Sequence, residues 1–231
     1  MSLQTLKEQV YEANIALWKS GLVVLTWGNV SGVDRESGLM AIKPSGVSYE
    51  KLKPEDIVLV RLADGQTVDS RLRPSSDTAT HLKLYRAWPE IGGVTHTHSR
   101  MATSWAQARL PIPCLGTTHA DSFHGPVPCA RPLSPEEVDR DYEGETGNLI
   151  VSTLGDTPCL EMPAILLACH GPFTWGKTPD KAVENAVILE EVAAMAAISK
   201  QLNPDVLSCP EHISEKHYLR KHGKDAYYGQ K

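Results

Sequence analysis

At 231 residues, with 41% hydrophobic and 22% charged side chains, the chain has the length and composition of one globular domain with a full core. A formal net charge of −5 without a long Lys/Arg run argues against a nucleic-acid partner, yet leaves anionic small molecules open, because turn amides and helix N-termini bind anions whatever the overall charge. No apolar stretch approaches the roughly 18 residues of a membrane span, the N-terminus lacks a signal-peptide core, and five scattered cysteines without a CxxC fit reduced thiols, so a cytoplasmic protein with no membrane partner is expected.

In chain order, Leu3, Leu6, Val10, Ala13 and Leu17 recur at helical spacing, and Gly21 is placed to end that helix. Residues 22–33 (LVVLTWGNVSGV) read as a strand running into a polar loop, and 39–47 as a second strand before a Pro-Ser-Gly turn. Residues 56–68 read as a hairpin with Asp64-Gly65 at its turn. Ser75, Ser76 and Asp77 open a helix carrying Leu82, Tyr85 and Trp88 and stopped by Pro89, after which a strand leads to His96 and His98. Residues 110–135 are Pro-rich and loop-like, a plausible wall for a site; 148–154 (NLIVSTL) and 164–171 (AILLACHG) read as further strands. Thr178 caps the clearest helix, with Pro179 at its first position and Leu202 near its end. The last residues, from Ile213, read as a short basic helix with an aromatic tail. Hairpin-joined strands argue against an all-parallel sheet.

Two constellations carry chemistry. His96 and His98, two apart on a strand, project from the same face and can address one ion. Alone, HxH is a weak motif. His170 also sits where an apolar strand meets a Gly-Pro loop, and Asp77 opens a helix just before the HxH strand. Three imidazoles and a carboxylate suit zinc or another first-row divalent ion. The commoner use of Asp at such a position is a helix cap, and of a lone strand-end His a structural hydrogen bond, so the set carries the reading rather than any member. A cupin barrel, the other fold with HxH, wants a Glu shortly afterwards; Ser99, Arg100, Met101 and Ala102 stand there instead. The second constellation is three small polar turns, Gly28-Asn29, Ser45-Gly46 and Ser75-Ser76, which offer amides and hydroxyls to an anion, with the positive charge of Lys43 beside them.

The stretches LTWGNVS, IKPSGV, RPSSDTATH, GGVTHTHS, GTTHAD, HGPFTWGK and KHYLRKHG with its AYYGQK tail span nearly the whole chain, and in this order they resemble the class II aldolase/epimerase family. The resemblance implies an α/β fold, a three-layer α/β/α sandwich with a mostly antiparallel central sheet, covering residues 1–231 as one domain. It also implies a C4 homotetramer with shared active sites, in which the helix and tail of 211–231 reach a neighbouring subunit. Carried over by motif, Asp77, His96, His98 and His170 hold one Zn2+ (or another divalent ion such as Mn2+). Gly28, Asn29, Lys43, Ser45, Gly46, Ser75 and Ser76 hold a sugar phosphate. Asp121 and Tyr228 become proton donor and acceptor, and His217 and Arg220 match positions that enter a neighbour's site. Asp77 stands where fuculose-phosphate-type aldolases carry a Glu base, and the AYYGQ tail matches the epimerase branch. The implied activity is metal-dependent epimerisation at C4 of L-ribulose 5-phosphate, giving D-xylulose 5-phosphate by retro-aldol cleavage. A net aldolase is the nearest alternative. A scaffold of the kind the adducin head resembles would lack the metal ligands, and all four are present here.

Overall fold

The computed structural model describes residues 2–68 and 70–228. Helix α1 (Leu3–Lys19) starts where the Ser2 hydroxyl accepts the Thr5 amide at 3.0 Å, and ends as Gly21 turns to φ +77°. The strand expected from residue 22 does not begin there. Val24 and Leu25 are exposed, Leu25 takes φ +56°, and Gly28 takes φ +73°. Strand β1 (Asn29–Asp34) starts only after that turn. The β-branched run misled because Val24 and Leu25 stay largely exposed among the described residues.

Strands β2 (Leu39–Ile42), β3 (Val58–Arg61) and β4 (Thr67–Val68) follow, with a 3-10 turn at Pro54–Asp56 between β2 and β3. The β3–β4 hairpin turns at Asp64-Gly65 as expected; the Asp64 carboxylate accepts the Gln66 amide at 3.0 Å and Gly65 takes φ +78°. Next come α2 (Thr78–Ala87), β5 (Gly93–His96), α3 (Arg100–Ala108), the single-turn α4 (Thr117–Ala120) and the short β6 (Cys129–Ala130). Helix α5 (Pro135–Leu154) leads to β7 (Ala164–Leu167), β8 (Pro172–Gly176), α6 (Pro179–Leu202) and α7 (Glu211–His222).

Residues 148–154 are therefore helix, not strand. Ser134 and Glu137 form a reciprocal capping box around Pro135 at the first helical position, and the buried Leu149, Ile150 and Leu154 line one side of the helix. NLIVSTL is too short an apolar run for period alone to separate strand from buried helix. The helix kinks at Asp141 (φ −169°, ψ 82°), whose carboxylate accepts the Gly144 amide at 3.2 Å and so restarts the helix as a cap.

The eight strands form one mixed sheet in the order β4-β3-β2-β1-β5-β8-β7-β6, antiparallel throughout except for the β6–β7 pair. Alternation along β1 separates the helix layers. The Ser31 hydroxyl lies 2.7 Å from His81 and 2.8 Å from Tyr85 on α2, whereas Gly32 faces Val10 of α1 and Pro179 of α6. In the same way Met40, Ile42, Val58 and Val60 pack in the core with Leu84 and Tyr85, while Ala41 and Leu59 pack with Leu6 and Val10. The result is the expected sandwich, with helices on both faces of a mostly antiparallel sheet. Gly92 and Gly93 permit a close approach, but of backbone rather than ligand: a Cβ on Gly93 would lie 2.4 Å from Pro179.

Candidate active site

The start of β1, the end of β5 and the turn after β7 meet at one edge of the core, and the HxH and Gly-Pro signals lie there. His96 closes β5, opposite Asn29 on one side and Phe173 on the other. One ligand atom each of His96, His98 and His170 lies within 4.8 Å of the others. The His96 Nδ1–H donates to the Pro172 carbonyl at 2.9 Å, which leaves its Nε2 lone pair facing the His98 Nε2 at 3.0 Å. His170 Nδ1 is buried with no partner among the described residues. Converging imidazole nitrogens and an orphaned one are the arrangement a divalent cation satisfies.

Protonation is disfavoured at His98 and His170. Burial, then the neighbouring His96 and His98 rings, push His170 down to about 4, and burial with His96 also lowers His98. Both are neutral near pH 7 and free to ligate.

Asp77 sits at the N-cap position of α2 yet makes no side-chain cap bond. Its carboxylate instead accepts from Asn29 Nδ2 at 2.6 Å and from the Ser75 hydroxyl at 3.4 Å, and it faces the histidine cavity. Burial would raise its pKa, but the His96 and His81 rings and the Asn29 hydrogen bond outweigh burial and hold it below the ordinary carboxylate range. His81, one turn further along α2, is wholly buried on Ser31 and falls to about 3, so it stays neutral.

The same cavity, of about 390 Å³, takes in the whole anion set. Gly28, Asn29, Lys43, Ser45, Gly46, Ser75 and Ser76 all line it with Asp77 and the three histidines. Gly28 is required at its position. Besides the positive φ, a Cβ there would lie 2.8 Å from the His96 carbonyl and from Val23. Two of the expected amide donors are already used: Ser45 N–H bonds to Arg73 O and Ser75 N–H to Lys43 O, both at 3.0 Å, which stitches the two turns together. The Gly46 and Ser76 amides and the Ser45 and Ser76 hydroxyls have no partner among the described residues. Lys43 is buried, rests 4.7 Å over the Tyr49 ring and has no carboxylate partner among the described residues; burial lowers it to about 8.

Asp121, His217, Arg220 and Tyr228 form a separate group. The Asp121 carboxylate accepts from Arg220 Nε (3.1 Å) and Nη2 (2.8 Å) and lies 3.1 Å from His217 Nδ1. Tyr228 lies over Arg220, 4.6 Å from ring centroid to guanidinium carbon. Burial would raise Asp121, but the Arg220 and His217 hydrogen bonds and the Lys221 charge hold it low. None of these four lines the histidine cavity; Asp121 borders a second one, of about 590 Å³. Within this chain the two groups of residues therefore lie apart. In the AYYGQ motif, Gly229 and Gln230 lie outside the described residues.

The sequence reading missed five residues of the wall, among them Pro44 between Lys43 and Ser45. Thr26 and Trp27 border the cavity, with the Trp27 ring 6.1 Å from His98, and so do Tyr142 and Glu143. The last two follow the α5 kink, and their signal was the Ser134-Pro135-Glu137 helix start.

Residues 8–197 match the family described as Class II Aldolase and Adducin N-terminal domain. The chain belongs to the class II aldolase family. It is 56% identical over 229 residues to the L-ribulose-5-phosphate 4-epimerase UlaF of Salmonella paratyphi A, covering 99% of this chain and all of that one, and equally so to the Salmonella typhi protein of the same name. Among solved structures it is similar to an L-fuculose 1-phosphate aldolase, with TM-score 0.79 and 25% identity over 95% of this chain and 97% of that one. The L-fuculose 1-phosphate aldolase from Glaciozyma antarctica PI12 shares the fold at TM-score 0.77, with 18% identity over 96% and 84% of the two chains. No helix among the described residues is long and apolar enough to cross a membrane.

Proposed function

We propose that this protein inverts C4 of L-ribulose 5-phosphate, yielding D-xylulose 5-phosphate, by breaking and re-forming the C3–C4 bond. The observation that carries the reading is a shared cavity: a cluster of histidines lies within reach of an anion cradle built on Lys43. The relatives at 56% identity bear the name of that activity along their full length.

Asp77, His96, His98 and His170 would hold the divalent ion, zinc or manganese. Bound there, it would act as a Lewis acid toward charge developing on a ketose carbonyl oxygen. The Lys43 ammonium, the free Gly46 and Ser76 amides and the Ser45 and Ser76 hydroxyls bind the 5-phosphate. A base removes the C4 hydroxyl proton, the C3–C4 electrons pass toward the C2 oxygen, and the products are the dihydroxyacetone enediolate and glycolaldehyde phosphate. The phosphate cradle keeps the aldehyde in place while its carbonyl turns. Carbon–carbon bond formation on the other face, with protonation of the new C4 oxygen, inverts the centre.

Because that oxygen changes sides, the reaction needs two proton-transfer groups, and Asp121 and Tyr228 take these roles with His217 and Arg220 around them. Asp121 stands apart from the histidine cavity within one chain. The reading therefore includes a C4 homotetramer in which α7 and the tail of one subunit complete the neighbour's site. The exposed Leu110, Met195, Ile198 and Leu202 supply apolar surface for such an assembly.

The test is to incubate zinc-loaded protein with L-ribulose 5-phosphate and follow both products. Stoichiometric D-xylulose 5-phosphate without free glycolaldehyde phosphate is expected. Accumulating aldehyde would make it a net aldolase instead.

A further inference from the structure

The Asp121 carboxylate fastens α7 through Arg220 and His217, yet a carboxylate that exchanges a proton cannot hold those partners at constant strength. A second fastening lies beside it. His124 Nδ1 is 3.0 Å from Glu161 Oε2, and Nε2 is 2.6 Å from Glu215 Oε1 on α7. Carboxylates only accept, so a ring bonded at both nitrogens carries both protons. The His124 amide also donates to Glu161 O at 3.0 Å, which fixes the ring's own backbone. The ring stacks on Tyr218 at 4.3 Å and 5°, Tyr218 stacks on His222 at 4.6 Å, and His222 Nε2 lies 2.9 Å from the Asp121 carbonyl oxygen. The path runs from His124 through α7 and back to Asp121.

We propose that His124 is a positioning residue: its imidazolium, clasped between Glu161 and Glu215, docks α7 so that His217 and Arg220 stay on Asp121 while that carboxylate works. The value of this docking to catalysis rests on the acid/base reading of Asp121 given above; the clasp itself does not. Two nearby lysines are engaged elsewhere: Lys221 points to Asp121 at 3.7 Å, and Lys181 pairs with Glu184 at 2.7 Å. Lys177 lines the same cavity and, among the described residues, does not contact the ring. Glu161 and Glu215 are thus the charges that decide the ring's state.

The Glu161 hydrogen bond, then that of Glu215, raises the His124 pKa against the opposing effect of burial. A His raised in the docked state stabilises docking fully below its ordinary pKa, near 6.5, and that contribution is lost as pH rises through the raised value. Linkage also fixes the size: deprotonation must favour undocking by ten to the power of the pKa shift.

Two measurements on the zinc-loaded full chain decide it. In an NMR titration of labelled histidines, His124 should titrate above about 6.5 and fall in Glu215→Gln. In hydrogen exchange, residues 211–222 should open about tenfold faster in His124→Phe than in wild type at pH 6, since Phe keeps the stack and loses both bonds. The variant's pH dependence between 6 and 8 should vanish, and kcat should fall while KM and metal content hold. His124 titrating at or below the ordinary value, or equal exchange in His124→Phe and wild type, would overturn the clasp. Full turnover in Asp121→Asn would instead defeat the acid/base reading and leave both measurements standing.

Discussion

An ammonium held in a cavity without a carboxylate beside it is costly, and Lys43 is in that position. Its pKa near 8 means that the positive charge needed for a phosphate is present below that pH and lost above it. For a cradle built on Lys43, kcat/KM for the sugar phosphate should fall as pH rises through about 8, because that ratio reports the free enzyme. Lys43→Gln should lower kcat/KM by about 10- to 100-fold, the worth of a charge-assisted bond, and remove that limb of the profile. A limb that persists in the variant would assign it to another group. At this scale the sequence was most readable for side chains with few uses. HxH at a strand end and a Lys beside small polar turns are weak signals singly, and became readable because they recur together. Asp77 was ambiguous, because a helix cap and a metal ligand occupy the same place in sequence. In the structure Asp77 makes no side-chain cap bond, accepts from Asn29, 48 residues away, and lines the histidine cavity.

Helix α5 shows what local pattern hides. Its second half packs on α2 so closely that a Cβ on Gly147 would lie 2.6 Å from Lys83, and Thr80 Oγ1 donates to Glu143 O at 2.7 Å. Those contacts hold Tyr142 and Glu143 against the histidine cavity. Leu149 and Ile150 are buried by the tertiary packing, so the helical stripe is blurred and the stretch reads equally as strand. The helix start was legible in the capping box; the kink was not, since nothing in the sequence says that Asp141 will leave the helix and cap its second half. Ser134→Ala removes the cap that accepts the Glu137 amide and should cost about 1 kcal/mol, read as a lower denaturation midpoint with unchanged m-value. A loss near zero would mean the Arg131–Glu137 pair holds that end instead. Likewise, residues 22–28 have strand composition but no partner strand among the described residues, because Gly28 turns the chain before pairing can begin.

Across the whole molecule, the order of the strands brings residues 28–29, 43–46, 75–77, 96, 98 and 170 to one cavity, while residues 121, 217, 220 and 228 gather elsewhere. Sequence motifs marked both groups as functional but carried no information on how far apart one chain would hold them. That separation follows from α7 docking on its own chain's Asp121, a tertiary contact between residues about a hundred positions apart. In the proposed tetramer the two groups are halves of one site joined between subunits. Subunit mixing tests it. His98→Ala, without a complete metal half, and Asp121→Asn, without the acid/base half, should each be nearly inactive alone. Co-refolded one to one, they should recover about a quarter of wild-type epimerase activity, because about one interface in four then pairs two intact halves. Activity no greater than the sum of the two parents would contradict the shared site.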